Sequence, residues 1–136
     1  MSGTVESVRW IVDGMNVIGS RPDGWWRDRR GAMARLVAQL ERWASAEGAH
    51  VTVVFEAPTT PPIESRVVEV THAPASAPNS ADDEIVRLLA AGRSDVTVVT
   101  SDRGLAERVR AAGADVRSAS GFRDRIEDVA GGLTEP

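Results

Sequence analysis

Residues 96–102 read VTVVTSD: an unbroken β-branched run, then Thr100, Ser101 and the carboxylate of Asp102. A short run this rich in Val fits a strand covered on both faces, and the switch to polar residues marks where it leaves the sheet. The same grammar recurs in RWIVDGMN (9–16), where the strand ends at Asp13, and in VTVVFE (51–56), which ends at Glu56. An acidic pair, Asp82-Asp83, opens a helical pattern in NSADDEIVRLL (79–89). If the strands lie parallel, all of these carboxylates gather at one sheet edge. Like charges there disfavour each other's ionised forms, and a divalent cation is the usual remedy.

The rest of the chain supplies the connections. Met33, Leu36, Val37, Leu40, Trp43 and Ala44 recur at three- and four-residue spacing, which predicts a helix over 27–46 stopped at Gly48. Gly14 and Gly19 mark a loop running through SRPDGWW (20–26), and Pro58, Pro61 and Pro62 force another. A strand over 66–71 is followed by the loop APASAPNS. Ser80 is a suitable N-cap for a helix to about residue 91, stopped by Gly92. Then come a strand over 95–100, a helix over 102–112 closed by Gly113, a strand over 114–117 and a short helix over 121–128. Residues 1–7 and 129–136 read as flexible tails around one domain, 8–128.

Strands alternating with helices predict an α/β three-layer sandwich around a mainly parallel five-stranded sheet. Short right-handed crossovers make 3-2-1-4-5 the economical strand order. That order puts Asp13 and Asp102 on adjacent central strands. Ligands of open sheets bind outside the strand carboxyl ends, where the order reverses.

Composition narrows the function. At 136 residues with 42% hydrophobic residues the chain fits one folded domain. It has no cysteine, which removes thiolate metal sites and disulfides and fits a reducing, cytoplasmic setting. No apolar run reaches the length of a membrane span, and MSGTVESV lacks the features of a signal peptide. All sixteen basic residues are Arg. The net charge of −4 argues against a generally basic surface, yet six Arg (21, 27, 29, 30, 35, 42) against three acids make residues 21–42 locally positive. Arg forks match phosphate bidentately, although solvated helix faces also carry Arg.

Each acid has an ordinary structural use as well. Asp13 and Asn16 could satisfy turn amides. Asp82 and Asp83 suit a first helical turn, and Ser101-Asp102 suits an N-cap. Adjacent helical acids point about 100° apart, so one of the pair, Asp82, is expected to face the site, with Asp83 as helper or cap. Glu56 is the weakest member. Oxygen donors without Cys, and with His50 and His72 outside ligand spacing, suit Mg²⁺ or Mn²⁺ rather than zinc. A cation held there could polarise phosphoryl oxygens and activate water for in-line attack. Arg21, Arg27, Arg29, Arg30 and Arg103, with Ser101 beside the acid, are candidates for flanking phosphates. Trp25 is a candidate for base stacking, with packing on the core as the other use of the Trp25-Trp26 pair. Neither GxxxxGK[ST] nor GxGxxG occurs, which disfavours ATP and dinucleotide chemistry.

IVDGMNVIG, FEAP, NSADDEI and VVTSDRGLAERVRAAGADV, in this order, resemble the NYN domain family, a branch of the PIN-like ribonucleases that includes YacP-like nucleases. The resemblance implies a PIN-like fold and Mg²⁺- or Mn²⁺-dependent cleavage of RNA, tRNA or rRNA among the targets, leaving a 5′-phosphate and a 3′-hydroxyl. By motif it makes Asp13, Asp82 and Asp102 catalytic metal ligands with Asn16 in support, and Asp83 and Glu56 further candidate ligands. Relatives often carry Asp-Gly where this chain has Glu56-Ala57. The leading expectation is a metal-dependent endoribonuclease that binds RNA and not membranes, with a homodimer as one assembly. The alternative is an RNA-binding adaptor of the same fold without turnover. A phosphotransfer receiver or phosphatase shares the acidic edge, but a receiver needs a strand-end Lys and this chain has none.

Overall fold

A computed structural model describes residues 9–56, 58–73, 80–91 and 95–132. The elements are β1 (Arg9–Asp13), α1 (Gly14–Ile18), a 3₁₀ turn (Trp25–Arg27), α2 (Arg29–Glu47), β2 (His50–Phe55), β3 (Glu69–His72), α3 (Ser80–Ala91), β4 (Val96–Val99), α4 (Arg103–Ala111), β5 (Asp115–Arg117) and α5 (Ala119–Gly132). The strands form one sheet in the order β3-β2-β1-β4-β5, every neighbouring pair parallel. All strand carboxyl ends therefore meet one rim, as the expected order requires.

Two apolar layers hold the helices to this sheet. On one face Trp10, Val12, Val53 and Phe55 pack with Leu36, Leu40 and Trp43 of α2 and Phe122 and Ile126 of α5. On the other, Ile11, Val54 and Val98 pack with Ile85 of α3 and Leu105 and Val109 of α4. The central strands feed both layers, which is why their sequences read as continuous apolar runs rather than alternating ones. Every member of the α2 stripe anticipated from spacing, Met33 through Ala44, is buried.

Four local differences from the expectation have identifiable causes. Gly14 begins a short helix instead of a loop, because Val17 and Ile18 bury into the core and fix the turn. A Cβ at Gly14 would lie 2.5 Å from the Phe55 ring, so only glycine lets the helix start this close to β2. The third strand begins at Glu69 rather than at residue 66. The Ser65 hydroxyl accepts from the amides of Val67 and Val68 (3.0 and 3.1 Å), diverting them from the sheet. The fourth strand starts after Asp95, whose φ of 70° is left-handed.

The last helix starts at Ala119 and runs to Gly132, so residues 129–132 have helical backbone rather than forming part of a tail. Its first turn is held by Ser101 Oγ, which accepts from the Ala119 amide (2.9 Å), and Ser118 Oγ, which accepts from the Gly121 amide (3.2 Å). Residues 1–7 and 133–136, most of the APASAPNS loop and the Gly92 stop lie outside the described residues. Among the described residues no helix is long and apolar enough to cross a membrane.

Candidate active site

β1 delivers Asp13 to the strand-end rim and buries it to 6% exposure. Its carboxylate makes no full cap bond to α1, although the Asn16 amide close by lowers its pKa. Instead Oδ2 accepts from the Thr100 hydroxyl at 2.9 Å, across to the end of β4. Thr100 Oγ1 in turn accepts from the Asp102 amide (3.1 Å). Asn16 Oδ1 accepts from the Ser101 amide (2.7 Å), fixing the α1 start against the same loop. With Ser101 Oγ reaching α5, one hydrogen-bond chain ties the ends of β1 and β4 to the last helix.

The electrostatics place the other acids around this point. Burial pushes Asp13 up to about 6, and the charges of Asp82 and Asp102 add to that, while the Thr100 hydrogen bond opposes it. Half-buried Asp82 is likewise raised, first by desolvation and then by Asp102, with Asp83 and Glu56 contributing and Arg108 opposing. Asp82 and Asp102 therefore lie near enough to act on the charge of Asp13, although all three are far apart in sequence. Arg108 was not singled out from sequence, because nothing in the α4 pattern distinguishes it from Arg103 or Arg110.

The remaining candidates divide by their partners. Asp102 Oδ1 caps α4 by accepting from the Leu105 amide (2.8 Å), so its structural use is real. Its Oδ2 takes no part in that bond. Asp83 turns outward and pairs with Arg108 at 3.1 Å. Glu56, 57% exposed at its side chain, pairs with Arg29 at 3.4 Å. Ser80 does not act as the expected side-chain cap. It lies inside the first turn, and its hydroxyl donates to the Glu56 carbonyl (3.2 Å), clamping α3 to the end of β2.

Among the candidate phosphate binders, Arg21 is held by Asp124 and Glu127 of α5. Arg30 donates twice to the Pro61 carbonyl. Arg29 stacks over Trp25 (5.5 Å) while pairing with Glu56. Arg27 and Arg103 are exposed and have no ion pair among the described residues. Trp25 packs against the core cluster, whereas Trp26 is 51% exposed. The packing use expected for at least one of the pair falls to Trp25, the residue expected to stack on a base, while Trp26 leaves its ring to solvent.

Among the described residues no three carboxylates form a ready ligand group. Capping holds one oxygen of Asp102, and Arg108 and Arg29 draw Asp83 and Glu56 away. The donor chemistry nevertheless fits a hard cation. Asp13 is a buried carboxylate whose side chain has a hydroxyl partner and two acidic neighbours, and burial first, then those charges, raise its pKa above the ordinary value.

A parallel 3-2-1-4-5 sheet with this acidic rim defines a PIN-like α/β fold of the ribonuclease type. The chain belongs to the YacP-like NYN domain family, whose match runs over residues 10–135. It is similar to the crystal structure of Rae1 (YacP) from Bacillus subtilis: 25% identity and a TM-score of 0.77, covering 91% of this chain and 76% of that one. The W164L mutant of the same protein gives 26% identity and a TM-score of 0.76, with 93% and 79% covered. None of the curated protein sequences matches this chain.

Proposed function

We propose that this protein is a metal-dependent endoribonuclease whose centre is Asp13, Asp82 and Asp102. The observation that supports it best is the mutual electrostatic field of three acids drawn from β1, α3 and the β4–α4 junction, with Asp13 nearly sealed from solvent. Such an arrangement is unfavourable without a counter-charge, and perturbed carboxylates of this kind concentrate at functional sites. Asp13, Asp82 and Asp102 would hold Mg²⁺ or Mn²⁺, with Glu56 and Asp83 able to join only by leaving Arg29 and Arg108. The chemistry such a cation supplies to a phosphodiester is polarisation of a phosphoryl oxygen and activation of water for in-line attack.

The chain's own residues do the positioning. Thr100 holds the Asp13 carboxylate by its hydroxyl, and Asn16 holds the Ser101 amide and hence the loop that carries Asp102. Arg27 and Arg103 offer guanidinium groups to flanking phosphates, and Trp26, rather than the partly packed Trp25, offers a face for a base. Labelled RNA incubated with purified protein and Mn²⁺ or Mg²⁺ should be cut, and EDTA or Asp13→Asn should reduce cutting to background. Cleavage indifferent to both controls would reject the assignment.

That no ready ligand group forms among the described residues favours one other reading, an RNA-binding adaptor of the same fold. Tight RNA binding with no turnover under either cation would select it.

A further inference from the structure

A cleft of about 450 Å³ opens between α4 and the edge strand β5, beginning at Thr100 and Ser101. These two residues contact Asp13 and Asn16, so the cleft starts where the acidic centre ends. Its lining includes Arg103 and Arg110 from α4 and Ser118 from the β5–α5 turn, with Glu107 its one acid. Helix α4 treats its arginines unequally. Arg108 is neutralised by Asp83 on the α3 side, whereas Arg103 and Arg110 are exposed and carry no ion pair among the described residues. Seven residues apart, they sit on one helical face about 10 Å apart along the axis. Two unpaired guanidiniums so spaced in an acidic protein suit two successive anions of a polymer better than one small ion.

We propose that this cleft is a phosphate-binding subsite in which Arg103 and Arg110 hold the sugar–phosphate backbone of the strand on one side of the acidic centre. The inference rests on the nucleic-acid reading above and extends it to Arg110 and the α4–β5 cleft, which set the path of the strand. Backbone contacts of this type position a nucleic acid without reading its sequence. The subsite is therefore expected to contribute equally to oligonucleotides of any base composition.

The test is binding of a labelled single-stranded RNA in EDTA across a salt series, for the wild type, an Arg103→Gln/Arg110→Gln variant and an Arg42→Gln/Arg66→Gln variant. The last removes the same charge from exposed positions away from the cleft. Each lost contact on a single strand should flatten the slope of log K against log salt by about 0.7. The cleft variant should thus lose about 1.4 in slope and about 25-fold in affinity at 0.1 M salt, with Arg110→Gln alone losing about 0.7 in slope. Slopes equal to wild type in a folded cleft variant, or an equal loss in the Arg42/Arg66 variant, would overturn the subsite. The nuclease reading is scored separately by cleavage in Mn²⁺. Cutting with an unchanged slope rejects the cleft alone, whereas a flattened slope without cutting supports the cleft and rejects the nuclease.

Discussion

Thr100 carries two hydrogen bonds in a nearly sealed position, donating to Asp13 and accepting from the Asp102 amide. Thr100→Val keeps the shape and removes both, leaving a buried carboxylate oxygen and an amide without partners. We expect a destabilisation of about 1–3 kcal/mol, read from the denaturant midpoint. An unchanged midpoint would mean that water replaces the hydroxyl. Asp13 itself gives a pH signature in metal-free protein. Its folded pKa of about 6 lies above the ordinary 3.8, so between those values the native state holds a proton that the unfolded chain has released. Stability must then fall as pH rises through that window, by about 3 kcal/mol in total. Asp13→Asn should abolish this component, and melting curves in EDTA from pH 4 to 7 would show it. From sequence Asp13 was legible as a strand-end acid. The extent of its burial was not, since that depends on β4 and α1 closing over it.

At the scale of elements, the short helix α1 is held at both ends by long-range partners. Gly14 lets its start approach Phe55. At its far end Arg123 of α5 donates to the carbonyls of Val17 and Ile18 (3.3 and 2.9 Å) and pairs with Asp23 and Glu127. Gly14→Ala should destabilise by about 1–3 kcal/mol through overpacking against the ring. Because the following helix aims Asn16, it should also loosen the Asn16–Ser101 contact, visible as faster amide exchange at Ser101. Arg123→Ala strips two last-turn carbonyls of a charged donor, and a loss of about 2 kcal/mol is expected in chemical denaturation. Glycine pairs ordinarily punctuate loops, so residues 14–19 read as a loop from sequence. The helix exists because a ring 41 positions away in β2 and an arginine in α5 accept it, and neither is visible within a local window.

For the whole molecule, a cation held at the proposed centre would act as a folding ligand. Mn²⁺ at a hundred times its Kd should raise stability at pH 7.5 by about 2.7 kcal/mol. No such gain is expected for Asp13→Asn, whose neutral amide removes the buried charge. A wild-type melting temperature blind to Mn²⁺ would count against a metal centre and favour the adaptor reading. The layered α/β class, the strand order and the α2 core stripe were all legible in the amino-acid order alone. Those follow from periodicity, from chain connectivity and from the handedness of crossovers, which are properties of short windows and of their order along the chain. The amino-acid order also marked Asp13, Asp82 and Asp102 as strand-end or helix-start acids. It took the folded arrangement to settle which acids act on one another's charge, that Asp83 and Glu56 are drawn off by Arg108 and Arg29, and that Arg103 and Arg110 have no ion pair among the described residues. Those outcomes depend on distances between side chains from different elements, which local pattern does not encode.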